Sequence, residues 1–156
     1  MTGRTTQLRQ LKDLSCTNPE ISGEKGAGLA RDLAAGFPVL DGFVIPPACS
    51  RSALQRAAEV LEERGTGGSR MSIIGYELPS EFVEEINRFA VELQAPLIVR
   101  SSSMLEGDGE WSGAFTSIPE VQNNEVGKAM KSVWATTFAL EVLERFEAAG
   151  LEPGSA

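Results

Sequence analysis

The sequence has no histidine, two cysteines, one tyrosine and no apolar run of the length that a membrane-spanning helix requires. Each absence removes a class of function. Without histidine the usual general base, metal ligand and phosphohistidine carrier are gone, so any chemistry runs on lysine, arginine, carboxylates, hydroxyls or backbone amides. Cys16 and Cys49 are too few for a disulfide framework and have no histidine to activate them, so both read as inert packing thiols. The start, MTGRTTQLRQL, has no apolar signal region, and the chain reads as cytoplasmic with no membrane partner. Positive charge is scarce as well: 14 Lys and Arg against 22 Asp and Glu leave a net charge of −8. That deficit argues against a nucleic-acid partner, because the phosphate attraction behind such binding is missing. What remains, 42% apolar and 23% charged residues in 156, is the composition of one globular domain large enough to bury a core without a metal or a disulfide.

Spacing of the apolar residues predicts the elements. Thr5 to Leu14 suits a helical turn or a short edge strand, and the pattern leaves both open. Ala30, Leu33, Ala34 and Phe37 recur at helical intervals, which predicts a helix from Glu24 to Ala35 stopped by Gly36 and Pro38. Gly42 to Pro46 reads as a short buried strand, and Pro47 opens a helix to about Arg64. Gly65 to Ser69, GTGGS, reads as a hairpin between helices or a surface loop. Pro79 and Ser80 begin a helix with Phe82, Ile86, Phe89 and Leu93 on one face, ending before Pro96. Leu97 to Arg100 reads as a second buried strand, Ser101 to Gly113 as a polar loop and Ala114 to Ile118 as a third strand. Asn123 or Asn124 caps a long last helix whose weak point, where it could break into two, is Thr136 and Thr137, and residues 152–156 form a flexible tail.

Two places combine a single cation with turn residues beside a regular element. In Gly23-Glu24-Lys25-Gly26-Ala27-Gly28, glycines at a helix start let backbone amides such as that of Gly26 approach an anion, and Lys25 adds a full charge. The spacing is not that of a Walker A loop, and a solvated helix cap explains the same residues. In Val99-Arg100-Ser101-Ser102-Ser103, an arginine at the carboxyl end of a strand offers a planar fork of donors to phosphate oxygens. The alternative is a buried Arg100 paired with Glu106 or Asp108. The serines have neither a histidine nor a correctly spaced lysine to activate them, which argues against a serine hydrolase. Glu106, Asp108 and Glu110 suit either Mg²⁺ or plain solvation. Trp111 and Trp134 read as core or lid packing rather than a base-stacking platform.

Read in order, SGEKGAGL (Ser22 to Leu29), GFPVLDGFVI (Gly36 to Ile45), VRSSSMLEG (Val99 to Gly107), EWSGAFTSIPEV (Glu110 to Val121) and VWATTF (Val133 to Phe138) resemble VGGKGANL, GLPVPPGFVI, VRSSATAED, SFAGQFESFLNV and CWASLF. Those segments belong to the amino-terminal nucleotide-binding domain of pyruvate phosphate dikinase, phosphoenolpyruvate synthase and rifampicin phosphotransferase. The resemblance implies an α/β (α+β) lobe of ATP-grasp type over residues 1–151, a small sheet flanked by helices. By it Lys25 and Arg100 contact the ATP phosphates, Arg100 as the catalytic residue, with Gly26 beside them. Ser112, Gly113 and Ser117 fall in the loop that closes over those phosphates. The family moves phosphoryl groups from ATP to a histidine on a swivelling domain. The implied partners are therefore a second ATP-grasp lobe, with most of the Mg²⁺ ligands, and that histidine domain, none of which lies in these 156 residues. Glu24 stands where the family has glycine, Gly28 where it has asparagine, Leu40 and Asp41 where it has two prolines, and Gly107 where it has an acidic residue. These departures also suit a free-standing interaction or regulatory module that has lost catalysis. A lobe that needs a partner should expose an apolar cleft face, and a free module a polar surface.

Overall fold

The computed structural model describes residues 8–107 and 109–155. Of the segment left open between turn and strand, residues 5–7 lie outside that range; the rest forms strand β1 (Arg9–Gln10) and then a short 3-10 helix, Leu14–Thr17. Strand β2 (Phe43–Val44) pairs antiparallel with β1, Arg9 opposite Val44 and Gln10 opposite Phe43. Leu11, Cys16 and Ala30 are buried beneath this ribbon, with Val39 and Val44 packed on them. Burial pushes the Cys16 thiol above its ordinary value, which suits the inert role expected of it.

Helix α1 (Pro19–Ala34) starts earlier than predicted because Asn18 caps it, its side chain accepting from the Glu20 amide at 3.0 Å with Pro19 in the first turn. It is broken at Gly23, whose φ of 69° no ordinary helical residue adopts. The stretch after the break matches the predicted helix closely. Gly36, at φ 86°, ends it, and the Phe37 amide donates back to the Asp32 carbonyl.

Helix α2 (Arg51–Ile74) decides between the two readings of Gly65 to Ser69: its arms fold back on each other as a hairpin between helices, and the segment is not a surface loop. The glycines turn the helix rather than end it. Gly65 takes a φ of 63°, and a Cβ on Gly68 would lie 2.2 Å from the Arg64 Cβ, so two helical arms meet at a point only glycine permits. Across the turn Ser69, fully buried, donates to the Ala57 carbonyl at 2.7 Å. Ile73 joins Leu54, Ala57 and Phe138 in one apolar cluster. Residues Pro153–Ser155, placed in the flexible tail by the sequence, form a 3-10 turn against α2.

Helix α3 (Ser80–Val91) follows its 3.6-residue pattern. Phe82, Ile86 and Ala90 are buried, and burying a side chain the size of Ile86 contributes roughly 1.5–3 kcal/mol. Strand β3 (Leu97–Arg100) pairs antiparallel with β4 (Ser117–Val121), Val99 opposite Ile118 and Arg100 opposite Ser117. The third strand thus begins three residues later than predicted, because Phe115 turns inward onto Trp111, Val142 and Phe146. Between Val99 and Leu97 the register slips by one, and Glu120 there takes a φ of 59°.

The last helix divides as expected: α4 (Val126–Ala135), a 3-10 turn at Thr136–Phe138, then α5 (Leu140–Ala149). The break carries Phe138 into the cluster with Leu54 and Ile73. Gln122, not an asparagine, makes the cap, in a reciprocal pair with Glu125. Asn123 instead donates to the carbonyls of Ala90 and Leu93, closing the end of α3. The class is α+β, 64% helical, and the single small sheet of the sequence reading is two separate two-stranded antiparallel ribbons. No helix among the described residues is long and apolar enough to cross a membrane.

Candidate functional site

The two cation-bearing segments, some 75 residues apart in sequence, meet. The break at Gly23 turns the amino end of the second part of α1 onto the loop after β3, so closely that a Cβ on Gly23 would lie 2.0 Å from the Ser102 carbonyl oxygen. Only glycine can stand there. Ser102 then accepts from the Gly26 amide at 2.8 Å and donates to the Ser22 carbonyl, while the Glu24 amide donates to the Ser103 carbonyl at 3.2 Å. Ser22 in turn donates to the Cys16 carbonyl. The amides that were expected to face an anion are therefore spent on the Ser101–Glu106 loop, which caps the restarted helix as a ligand would.

Glu106 holds the junction together electrostatically. Its side chain is 2% exposed and accepts from Lys25 Nζ at 2.6 Å, Ser101 Oγ at 3.2 Å and the Ser103 amide at 2.9 Å. The sequence offered Glu106 as a partner for Arg100, but the fold gives it Lys25. Arg100 is exposed at the end of β3, and its side chain makes no ion pair or hydrogen bond among the described residues. Its other suggested partner, Asp108, lies outside the described residues.

Two of the departures from the family pattern also explain each other. A Cβ on Gly107 would lie 2.9 Å from Glu24 Cγ, so the Glu24 side chain fills the space that a side chain at 107 would need.

Lys25, Gly26 and Arg100 all line an open cleft of about 1580 Å³. Leu40 (88% exposed), Phe37, Ile98 and Met104 line it too, each large, apolar and open to solvent. Small-molecule pockets run to about 300–1,000 Å³, so this cleft exceeds the needs of one small ligand. Ser112 and Gly113 do not line it. They sit in an exposed turn, Gly113 at φ 72°, carried by Trp111, which stacks on Phe115 at 6.1 Å and tilts onto Phe146 at 4.8 Å. Ser117 is exposed opposite Arg100 on the neighbouring strand, and of the two only Arg100 lines the cleft.

No protein-family model, curated protein or solved structure matches this chain. The site is therefore read from its own residues. Chemically it offers two guanidiniums with no partner among the described residues, Arg100 and Arg51, one lysine already paired, the hydroxyls of Ser101 and Ser103, and the carboxylates of Glu20, Asp32, Asp41 and Glu92 around the same cleft. It offers no activated nucleophile. Among the described residues no group of three or more His, Cys, Asp or Glu is placed to hold a metal ion, so those residues do not by themselves form a site that fits Mg²⁺. The residue that sequence reasoning missed as Lys25's partner is Glu106, and spacing carried no signal for it, since the two are 81 positions apart.

Proposed function

We propose that the chain is the phosphate-binding lobe of an ATP-dependent phosphotransferase, incomplete until a second lobe closes over its cleft. The single observation that carries this reading is the cleft itself, which brings Arg100 and Lys25 from distant segments to one wall and leaves Phe37, Leu40, Ile98 and Met104 exposed around them. Exposed apolar surface beside free positive charge is what half of a nucleotide site between two lobes requires. Arg100 supplies a planar pair of donors to phosphate oxygens, and Lys25 a point charge from the other segment. Bound there, ATP supplies the transferable phosphoryl group, and this lobe orients it and neutralises its charge. Mg²⁺, the second lobe and a swivelling histidine domain belong to the rest of the system in this reading. The lobe alone turns nothing over.

A calorimetric titration with ATP and Mg²⁺ tests it. Weak saturable binding, lowered by Arg100→Ala and by Lys25→Ala, is the expected result; no heat at millimolar ATP overturns a phosphate site in the isolated chain. A second reading, an interaction module with no catalysis, is favoured by the charge that Glu106 already cancels on Lys25. It predicts no ATP heat together with retention of a protein partner through the apolar cleft.

A further inference from the structure

Lys25 occupies an unusual position for a phosphate ligand, because a carboxylate holds it at 2.6 Å. Glu106 is the buried member of the pair, 2% exposed, while the Lys25 side chain is 35% exposed on the cleft side. The asymmetry decides what an arriving anion does. If the anion drew Lys25 away, Glu106 would be left as a buried charge with only the Ser101 hydroxyl and the Ser103 amide, which is costly. An ammonium has three donors, and Glu106 takes one of them. The lysine can thus keep its carboxylate and give its remaining donors to phosphate.

From this geometry we infer that Glu106 is the positioning residue of the site: it fixes the Lys25 ammonium at the cleft wall so that the lysine meets a phosphate already ordered. The inference rests on the phosphate-site reading above and names how that site is built. A free lysine has rotamer entropy to lose on binding, and the ion pair removes most of that freedom beforehand. Protein kinases use the same physics, where a helix glutamate must pair with the phosphate-binding lysine for the site to work. Glu106 does more than pair. Through Ser101 and Ser103 it ties the lysine to the loop that follows Arg100, so the two cations share one rigid frame.

The effect of Glu106→Gln has a sign that separates this role from competition. Removing a carboxylate from an anion site should strengthen anion binding by Coulomb's law alone. If Glu106 positions Lys25, binding weakens instead, because the amide still accepts from Ser103 but no longer holds the ammonium. The probe is inorganic tripolyphosphate, titrated calorimetrically against the chain, with brief acetylation and mass spectrometry reporting Lys25 without any ligand. Exposed Lys128 serves as the internal reference. Glu106→Gln is expected to raise the Lys25 acetylation rate several-fold relative to Lys128 and to weaken tripolyphosphate about tenfold. The weakening should vanish in a Lys25→Ala background. Glu106→Asp, which keeps the charge, should recover part of the affinity and stands in if the glutamine variant does not fold. Unchanged labelling, or tripolyphosphate binding that is equal or tighter in Glu106→Gln, overturns the positioning role while leaving the phosphate site in place. A wild-type chain that ignores tripolyphosphate overturns the phosphate reading itself, and positioning with it.

Discussion

Two helices of this molecule are broken by the same device and to different ends. Gly23 in α1 and Gly65 in α2 hold nearly the same conformation, φ 69° with ψ 173° and φ 63° with ψ −168°. Around Gly65 there is open space, and the arms beyond it are joined by apolar packing of Leu54, Ala57 and Ile73 with one buried hydroxyl. Around Gly23 there is none: the loop after β3 presses on it, takes the following amides and supplies Glu106 to Lys25. A kink folded on itself is held mostly by apolar packing, with a single hydroxyl. The other kink, folded against a distant segment, uses polar bonds that leave a cation facing a cleft, and only that kind builds a site.

Gly23→Ala should be the most damaging change, because it adds both the strain of positive φ and a collision with backbone that cannot move aside. The expected loss is about 3 kcal/mol or more in urea unfolding. Gly65→Ala meets no neighbour, so strain alone should cost about 2 kcal/mol, and equal losses at the two glycines would erase the distinction drawn here. Ser102→Ala should cost roughly 1–2 kcal/mol, since it removes the bonds that the Gly26 amide and the Ser22 carbonyl make to this hydroxyl. Ser69→Ala at the other kink removes one bond only and should cost about 1 kcal/mol. The smallest effect lies outside both. Asp13, hydrogen-bonded to the Ser15 amide, has its carboxyl held below the ordinary 3.8, so its stabilising cap is present above that value and lost as pH falls through the lowered one. Melting curves of Asp13→Ala and wild type should therefore differ slightly at neutral pH and converge in strong acid.

Much of the scaffold was legible because it is local. The face of α3, strand β3, the helix after Gly23 and the break at Thr136 each follow from spacing or from residues within one turn. What failed was decided at a distance. The composition GTGGS left a hairpin and a flexible surface loop equally open, and it is Ser69 and Ile73 finding Ala57 and Leu54 that make it a hairpin with the segment helical. Asn123 has the chemistry of a helix cap and fulfils it for α3, which lies some 30 residues earlier. At the candidate site, both cations and the serines after Arg100 stood out from the sequence, but which carboxylate meets which cation did not. That pairing depends on Gly23 bringing α1 against the loop, and the arrangement leaves Arg100 free while Lys25 is held.

The two tryptophans divide between a sealed place and an open one. Trp111 is 4% exposed under its turn, enclosed by Phe115 and Phe146. Trp134 is half-buried where two apolar clusters meet, and it lines the cleft. One indole is thus shielded from whatever enters, while the emission of the other would shift to the blue if water left the cleft wall. Were the proposed second lobe to close, the chain would report it optically, with its own internal standard.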